Sequence, residues 1–176
     1  MMRANRVILA ALILVIIESS IIPWLVPTPW SGRLLPHLSF IMTLLVAGFA
    51  GRHRAFLFGL SFGLLQDMLF YGHLIGPYGF GMGLVGYLAG LVTEKRLYMT
   101  VGYFIWMVLI GSVMLDSTVF FIYKLFRLTE LEYGYVFYWQ LAPTALLQLF
   151  IALLMYVPFR RYLVKPSNSS GEEGSE

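Results

Sequence analysis

Along the chain, apolar residues gather into six runs separated by short polar stretches: about 7–26, 37–51, 55–71, 79–92, 99–123 and 136–157. A bilayer-spanning helix needs roughly 20 mainly apolar residues, which sets the scale for these runs. The second and fourth are short and are expected to extend into their flanks. Backbone N–H and C=O groups find no water at lipid depth, so each run is expected to be a helix that satisfies them internally. The longest connections, about 27–36 and 124–135, leave no room for a soluble domain between spans. Pro23, Pro27 and Pro29 break the chain after the first run, and Gly76-Pro77 breaks it between the third and fourth. Pro143 is expected to kink the sixth and free a carbonyl near Trp139.

Within the runs, small and polar residues recur on one helix face. The first run has Ala11 and Glu18, seven apart. The second has Thr43, Ala47, Ala50 and Gly51. The third has Gly59, Gly63 and Gln66, with Asp67 adjacent. The fifth has Ser112 and Asp116, four apart, and the sixth has Gln140, Thr144 and Gln148 at steps of four. Residues at these spacings share a face. The pattern predicts an all-α integral membrane protein, a six-helix bundle with small and polar residues inside and large aliphatic and aromatic ones toward lipid.

Composition sharpens this. The chain is 59% hydrophobic and 12% charged, with a mean hydropathy of +0.79, too little polar surface for a soluble domain. There is no cysteine, which excludes disulfides and thiolate metal sites. With the N-terminus in the cytoplasm, nine basic residues fall on cytoplasmic segments and three (Arg33, Lys124 and Arg127) on outer ones. Six spans return the C-terminus to the same side. Trp24, Trp30, Tyr133, Tyr135 and Trp139 fall near the outer interface, where an aromatic belt belongs. Arg3 and Arg6 before an apolar run resemble a signal peptide. No A-x-A-like site follows, however, and cleavage would spoil the charge pattern, so a retained helix is expected. The net charge of +3 is spread over several edges without a basic stripe, which argues against nucleic acid and for contact with lipid headgroups. Residues 1–165 read as one transmembrane domain and residues 166–176 as a disordered, polar, cytoplasmic tail.

Two stretches imitate catalytic motifs. Gly59-Leu-Ser-Phe-Gly63 fits the G-x-S-x-G pattern, but a nucleophile elbow needs a strand, a strained turn and a helix, with a histidine at hand. Ser61 lies inside an apolar helical run, and His37, His53 and His73 fall at span ends or in loops. Gly81-Met-Gly-Leu-Val-Gly86 fits the dinucleotide pattern but lacks the βαβ context. Gly79, Gly83, Gly86 and Gly90 instead line one helix face, and Gly59 and Gly63 form a G-x-x-x-G pair. Both are surfaces on which helix backbones can approach closely. Asp67 with His73 is too sparse a ligand set for a metal, and no cofactor is expected.

Glu18, Asp67 and Asp116 remain. A carboxylate at mid-membrane costs at least about 2.5–3.5 kcal/mol on insertion scales, and no Lys or Arg occurs deep in any span to pair with it. All three lie in odd-numbered runs and in the middle or outer half. They are expected to converge, with Gln66 and Gln148, on an outward polar pocket or a contact with another membrane protein. Structural hydrogen bonding across helices, partner recognition, and a transport or proton-relay role all compete at this point.

The run Phe56-Leu-Phe-Gly-Leu-Ser-Phe-Gly-Leu-Leu-Gln-Asp-Met-Leu-Phe70, followed by Gly72, Gly76 and the Gly79–Gly90 segment, resembles the central signature of the MreD family of bacterial rod shape-determining membrane proteins. Overall size, Pro36 before the second run and six close-set spans are also similar. The resemblance implies a non-enzymatic scaffold in the cell membrane. It implies that MreC is a direct partner, with MreB, RodA and a class B penicillin-binding protein linked through it to lateral peptidoglycan synthesis. It also implies an architecture similar to the S components of energy-coupling-factor transporters. That leaves a solute-binding subunit of a vitamin transporter as the alternative reading.

Overall fold

The computed structural model describes residues 8–9, 11–18, 20, 37–70, 74–94 and 100–163. The proline-rich connection after the first run, His73, the basic pair Lys95-Arg96 and the tail lie outside the described residues. Among those described, everything regular is helical. The first helix, α1, is described at residues 8–9, 11–18 and 20. It is followed by α2 (Leu38–Ala50), α3 (Arg52–Phe70), α4 (Pro77–Glu94) and α5 (Val101–Leu125). The last span comprises α6 (Tyr133–Val136), a π-helical turn at Phe137–Leu141, and α7 (Ala142–Leu163).

Two of these elements, Val101–Leu125 and Tyr133–Tyr156, are long and apolar enough on their own to cross a membrane, while Leu38–Ala50 is apolar but shorter. The distribution of side chains says more. Large apolar residues stand exposed on α1 (Ile16), α3 (Met68), α4 (Phe80), α5 (Trp106) and α7 (Phe150). Exposed apolar surface on this many sides is the exterior of a protein solvated by lipid. By contrast α2 is buried from Leu38 to Leu45, as expected of a helix that is hydrophobic all round. Phe40, Ile41 and Leu44 form the centre of the core with Met82 of α4 and Leu115 of α5. Phe104 stacks on Tyr156 at 4.9 Å and joins α5 to α7.

The ends of the helices follow local chemistry. Gly51 alone separates α2 from α3 and adopts a φ of +88°, a conformation that glycine takes without strain. Its carbonyl accepts the N–H of Ala55 at 3.1 Å, so α3 starts at Arg52, earlier than the apolar run suggests. Glu94, at the end of α4, accepts the Arg52 backbone N–H at 3.3 Å and lies 3.5 Å from its guanidinium. Pro77 is the first residue of α4, where its missing N–H costs nothing. At the end of α5, Leu128 N–H donates to the Tyr123 carbonyl at 2.9 Å and Arg127 N–H to that of Lys124 at 3.1 Å. With Arg127 at φ 55°, this is a Schellman ending with arginine where glycine is usual.

The predicted irregularity in the last span takes a specific form. Pro143 offers no N–H, and its ring crowds the carbonyl four residues back, which is that of Trp139. The helix widens before it: Ala142 N–H donates to the Phe137 carbonyl, five residues back, and Phe137–Leu141 forms a π turn.

Candidate functional site: a polar core beside an open cavity

Among the described residues, the most extensive helix pairing is between α3 and α4. A methyl group added at Gly63 would stand 2.6 Å from the Gly79 Cα, and one at Gly59 2.5 Å from the Met82 carbonyl oxygen. One at Gly86 would meet the Ala55 carbonyl oxygen at 2.9 Å, and one at Gly90 would overlap the Arg52 backbone. Gly83 differs: its added methyl would sit at an ordinary 3.5 Å from Leu60 and Phe56. These glycines let two backbones touch, which gains dispersion contacts that lipid alone does not supply.

That closeness places Asp67 at the start of α4. Its Oδ2 accepts the N–H groups of Gly76 at 3.1 Å and Gly79 at 2.9 Å, and its Oδ1 accepts that of Tyr78 at 3.2 Å. The first four N–H groups of a helix have no intrahelical partner. Here Pro77 has none to offer and Asp67 takes the other three, while Phe80 N–H begins the helical ladder on Gly76 at 2.8 Å. The negative charge also faces the positive end of the α4 dipole. Asp67, fully buried, is therefore a helix cap supplied by a neighbouring helix, and its oxygens are not turned to a pocket.

Glu18 and Gln66 belong to a second cluster. Glu18 Oε2 accepts the Ser39 hydroxyl at 2.8 Å and the Ser39 N–H at 3.3 Å. Its Oε1 accepts Gln66 Nε2–H and lies 3.5 Å from His37 Nδ1. Gln66 Nε2 is also 3.0 Å from His37 Nδ1. The starts of α2 and the ends of α1 and α3 are thus pinned together, with Glu18 only 4% exposed. His37 also packs its ring 5.0 Å from that of Tyr78 and forms part of the wall of a cavity.

The cavity, of about 200 Å3, lies where α5 ends and the last span begins. Asp116, Phe120 and Tyr123 of α5 form one wall, and Gln140 and Thr144 of the last span another. Thr129 and Leu131 reach it because the Schellman ending turns the chain back. Ser117 and Tyr133 hold α5 to α6 through a hydroxyl pair at 2.9 Å. Deeper in the bundle, Ser112 donates to Gln148 Oε1, while Gln148 Nε2 has no hydrogen-bond partner among the described residues.

The five polar residues singled out from sequence therefore separate. Asp116 alone lines the cavity; Glu18 and Gln66 meet His37 behind its wall; Gln148 pairs with Ser112; and Asp67 caps α4. The expected convergence of three carboxylates on one pocket is corrected accordingly, because backbone N–H groups and hydroxyls satisfy two of them elsewhere. Ser61 is exposed in the unbroken helix α3, with no strand-turn-helix geometry around it. No group of three or more histidine, aspartate or glutamate side chains among the described residues is arranged to hold a metal.

Comparison with known proteins gives this arrangement a context. The family model for rod shape-determining protein MreD matches residues 2–165. The chain belongs to the MreD family. It is 28% identical over 131 residues to the rod shape-determining protein MreD of Bacillus subtilis (strain 168), covering 74% of this chain and 75% of that one. No solved structure matches the chain. The residues of this MreD-family bundle that sequence reasoning missed are His37, Ser39 and Tyr78. His37 sits at a span boundary and is only 3% exposed, and no local pattern marks its meeting with α1 and α3.

Proposed function

We propose that this protein is a non-enzymatic membrane scaffold of the cell-elongation machinery. In this reading it binds MreC and, through it, helps position MreB, RodA and a class B penicillin-binding protein for lateral peptidoglycan synthesis. The single observation that carries the reading is the MreD family match across nearly the whole chain. The structure supports it in kind. Its polar residues are mostly engaged in joining helices, and its exposed surface is apolar, suited to lipid and to the membrane helix of a partner. The basic-residue bias supports cytoplasmic termini and, with that orientation, a cavity that faces outward; the family match over residues 2–165 supports one transmembrane unit over residues 1–165.

Depletion in the native host tests the role. The expected outcome is loss of rod shape and of labelled D-amino acid incorporation along the lateral wall. Unchanged shape and lateral incorporation after full depletion would contradict it. A second reading, a solute-binding subunit similar to the S components of vitamin transporters, is favoured only by the cavity. A vitamin found in the purified protein by mass spectrometry would move the balance to it.

A further inference from the structure

Asp116 lines the cavity and makes no hydrogen bond among the described residues. Its electrostatic neighbour is His37, whose Nδ1 faces Gln66 Nε2 at 3.0 Å on the other side. Among the described residues that line the cavity there is no lysine or arginine, and no salt bridge joins Asp116 to a basic side chain. The other acids of the spans, Glu18 and Asp67, have hydrogen-bond donors built around them; Asp116 has open space. Beside it stand the rings of Phe120 and Tyr123, whose faces attract cations, and the side chains of Gln140 and Thr129, which offer oxygen acceptors. One ring already does this: Lys124 Nζ lies 5.8 Å from the Phe120 centroid. A volume of about 200 Å3 holds roughly six waters, or an organic group of similar size.

We propose that this cavity binds an alkylammonium or guanidinium group, with Asp116 as its counter-charge and the aromatic wall as its seat. The group can belong to a free amine or to an aminophospholipid headgroup, since both present the same N–H donors. The site stands apart from the scaffold reading, because co-purification with MreC reports on that reading without any cation.

The test uses the full-length protein in phosphatidylcholine nanodiscs and follows butylammonium and butylguanidinium by saturation-transfer NMR and titration calorimetry. Wild type is expected to bind both saturably, and pentanol, a neutral molecule of similar size, about tenfold or more weakly. Asp116→Asn is expected to lose that preference, while Glu130→Gln, at an exposed acid that is not among the lining residues, keeps it. The pentanol comparison needs no variant and so stands even where Asp116→Asn fails to fold. Competition by phosphatidylethanolamine added to the nanodiscs assigns the site to a headgroup, and its absence assigns it to a free amine. No saturable binding of either cation, equal binding of pentanol, or full binding by a folded Asp116→Asn overturns the proposal.

Discussion

The Asp67 carboxylate accepts the backbone N–H of Gly79 at 2.9 Å, across the interface between α3 and α4. One side chain thereby completes a helix that is not its own. Within the bundle the cost of burying an acid is offset by three backbone donors and a helix dipole.

Asp67→Asn replaces one acceptor oxygen by an amide that points donors at backbone donors. It is expected to destabilise the bundle by about 1–3 kcal/mol, and Asp67→Ala by at least as much. Reversible unfolding in mixed micelles measures this. Wild-type stability of both variants would show that the α4 donors have other partners.

The glycine interface makes a graded prediction. Gly63→Ala sets a methyl 2.6 Å from the Gly79 Cα, where only backbone can move, and is expected to cost about 1–3 kcal/mol. Gly83→Ala meets side chains at 3.5 Å and gains helix propensity, so its effect is expected to be neutral or stabilising by up to about 1 kcal/mol. The same unfolding assay ranks the two, and equal losses would refute the assigned contacts.

The Glu18–Gln66 pair is expected to behave as a unit. Glu18→Ala removes the acceptor of the Ser39 hydroxyl and of a Gln66 N–H, and Gln66→Leu removes one donor to Glu18. A double-mutant cycle is expected to show a coupling of about 0.5–3 kcal/mol. Additive losses would mean that the two side chains do not interact.

Ser112 and Gln148 call for the opposite result. Gln148 Nε2 has no partner among the described residues, so replacing both residues with apolar ones of similar shape removes an unsatisfied group together with its neighbour. Ser112→Ala with Gln148→Met is expected to lie within about 1 kcal/mol of wild type. A large loss would reveal a partner for Nε2, such as a buried water.

The helices themselves were legible in the sequence because lipid forces one solution on the backbone: long apolar runs become helices, and small residues at helical spacing become contact faces. Gly59, Gly63, Gly86 and Gly90 stand where an added methyl would meet the neighbouring backbone. The fates of the carboxylates were not legible in the same way. Asp67 sits one turn from Gly63, but its partners are N–H groups beyond a turn, and pattern along the chain does not encode backbone donors. His37 and Ser39 reach Glu18 across about 20 positions of sequence, a distance over which periodicity carries no information. The π turn before Pro143 was readable as a disturbance, since proline removes a donor; the five-residue step from Ala142 N–H to the Phe137 carbonyl was not.

The central claim is that this bundle serves as a scaffold for MreC. The most direct measurement is co-purification: full-length protein, tagged at its C-terminus and expressed with its host's MreC, extracted in mild detergent and passed over a size-exclusion column. The account predicts one peak holding both chains in a fixed ratio that persists on dilution. Two separate peaks, from a protein that is folded and monodisperse by itself, would contradict it.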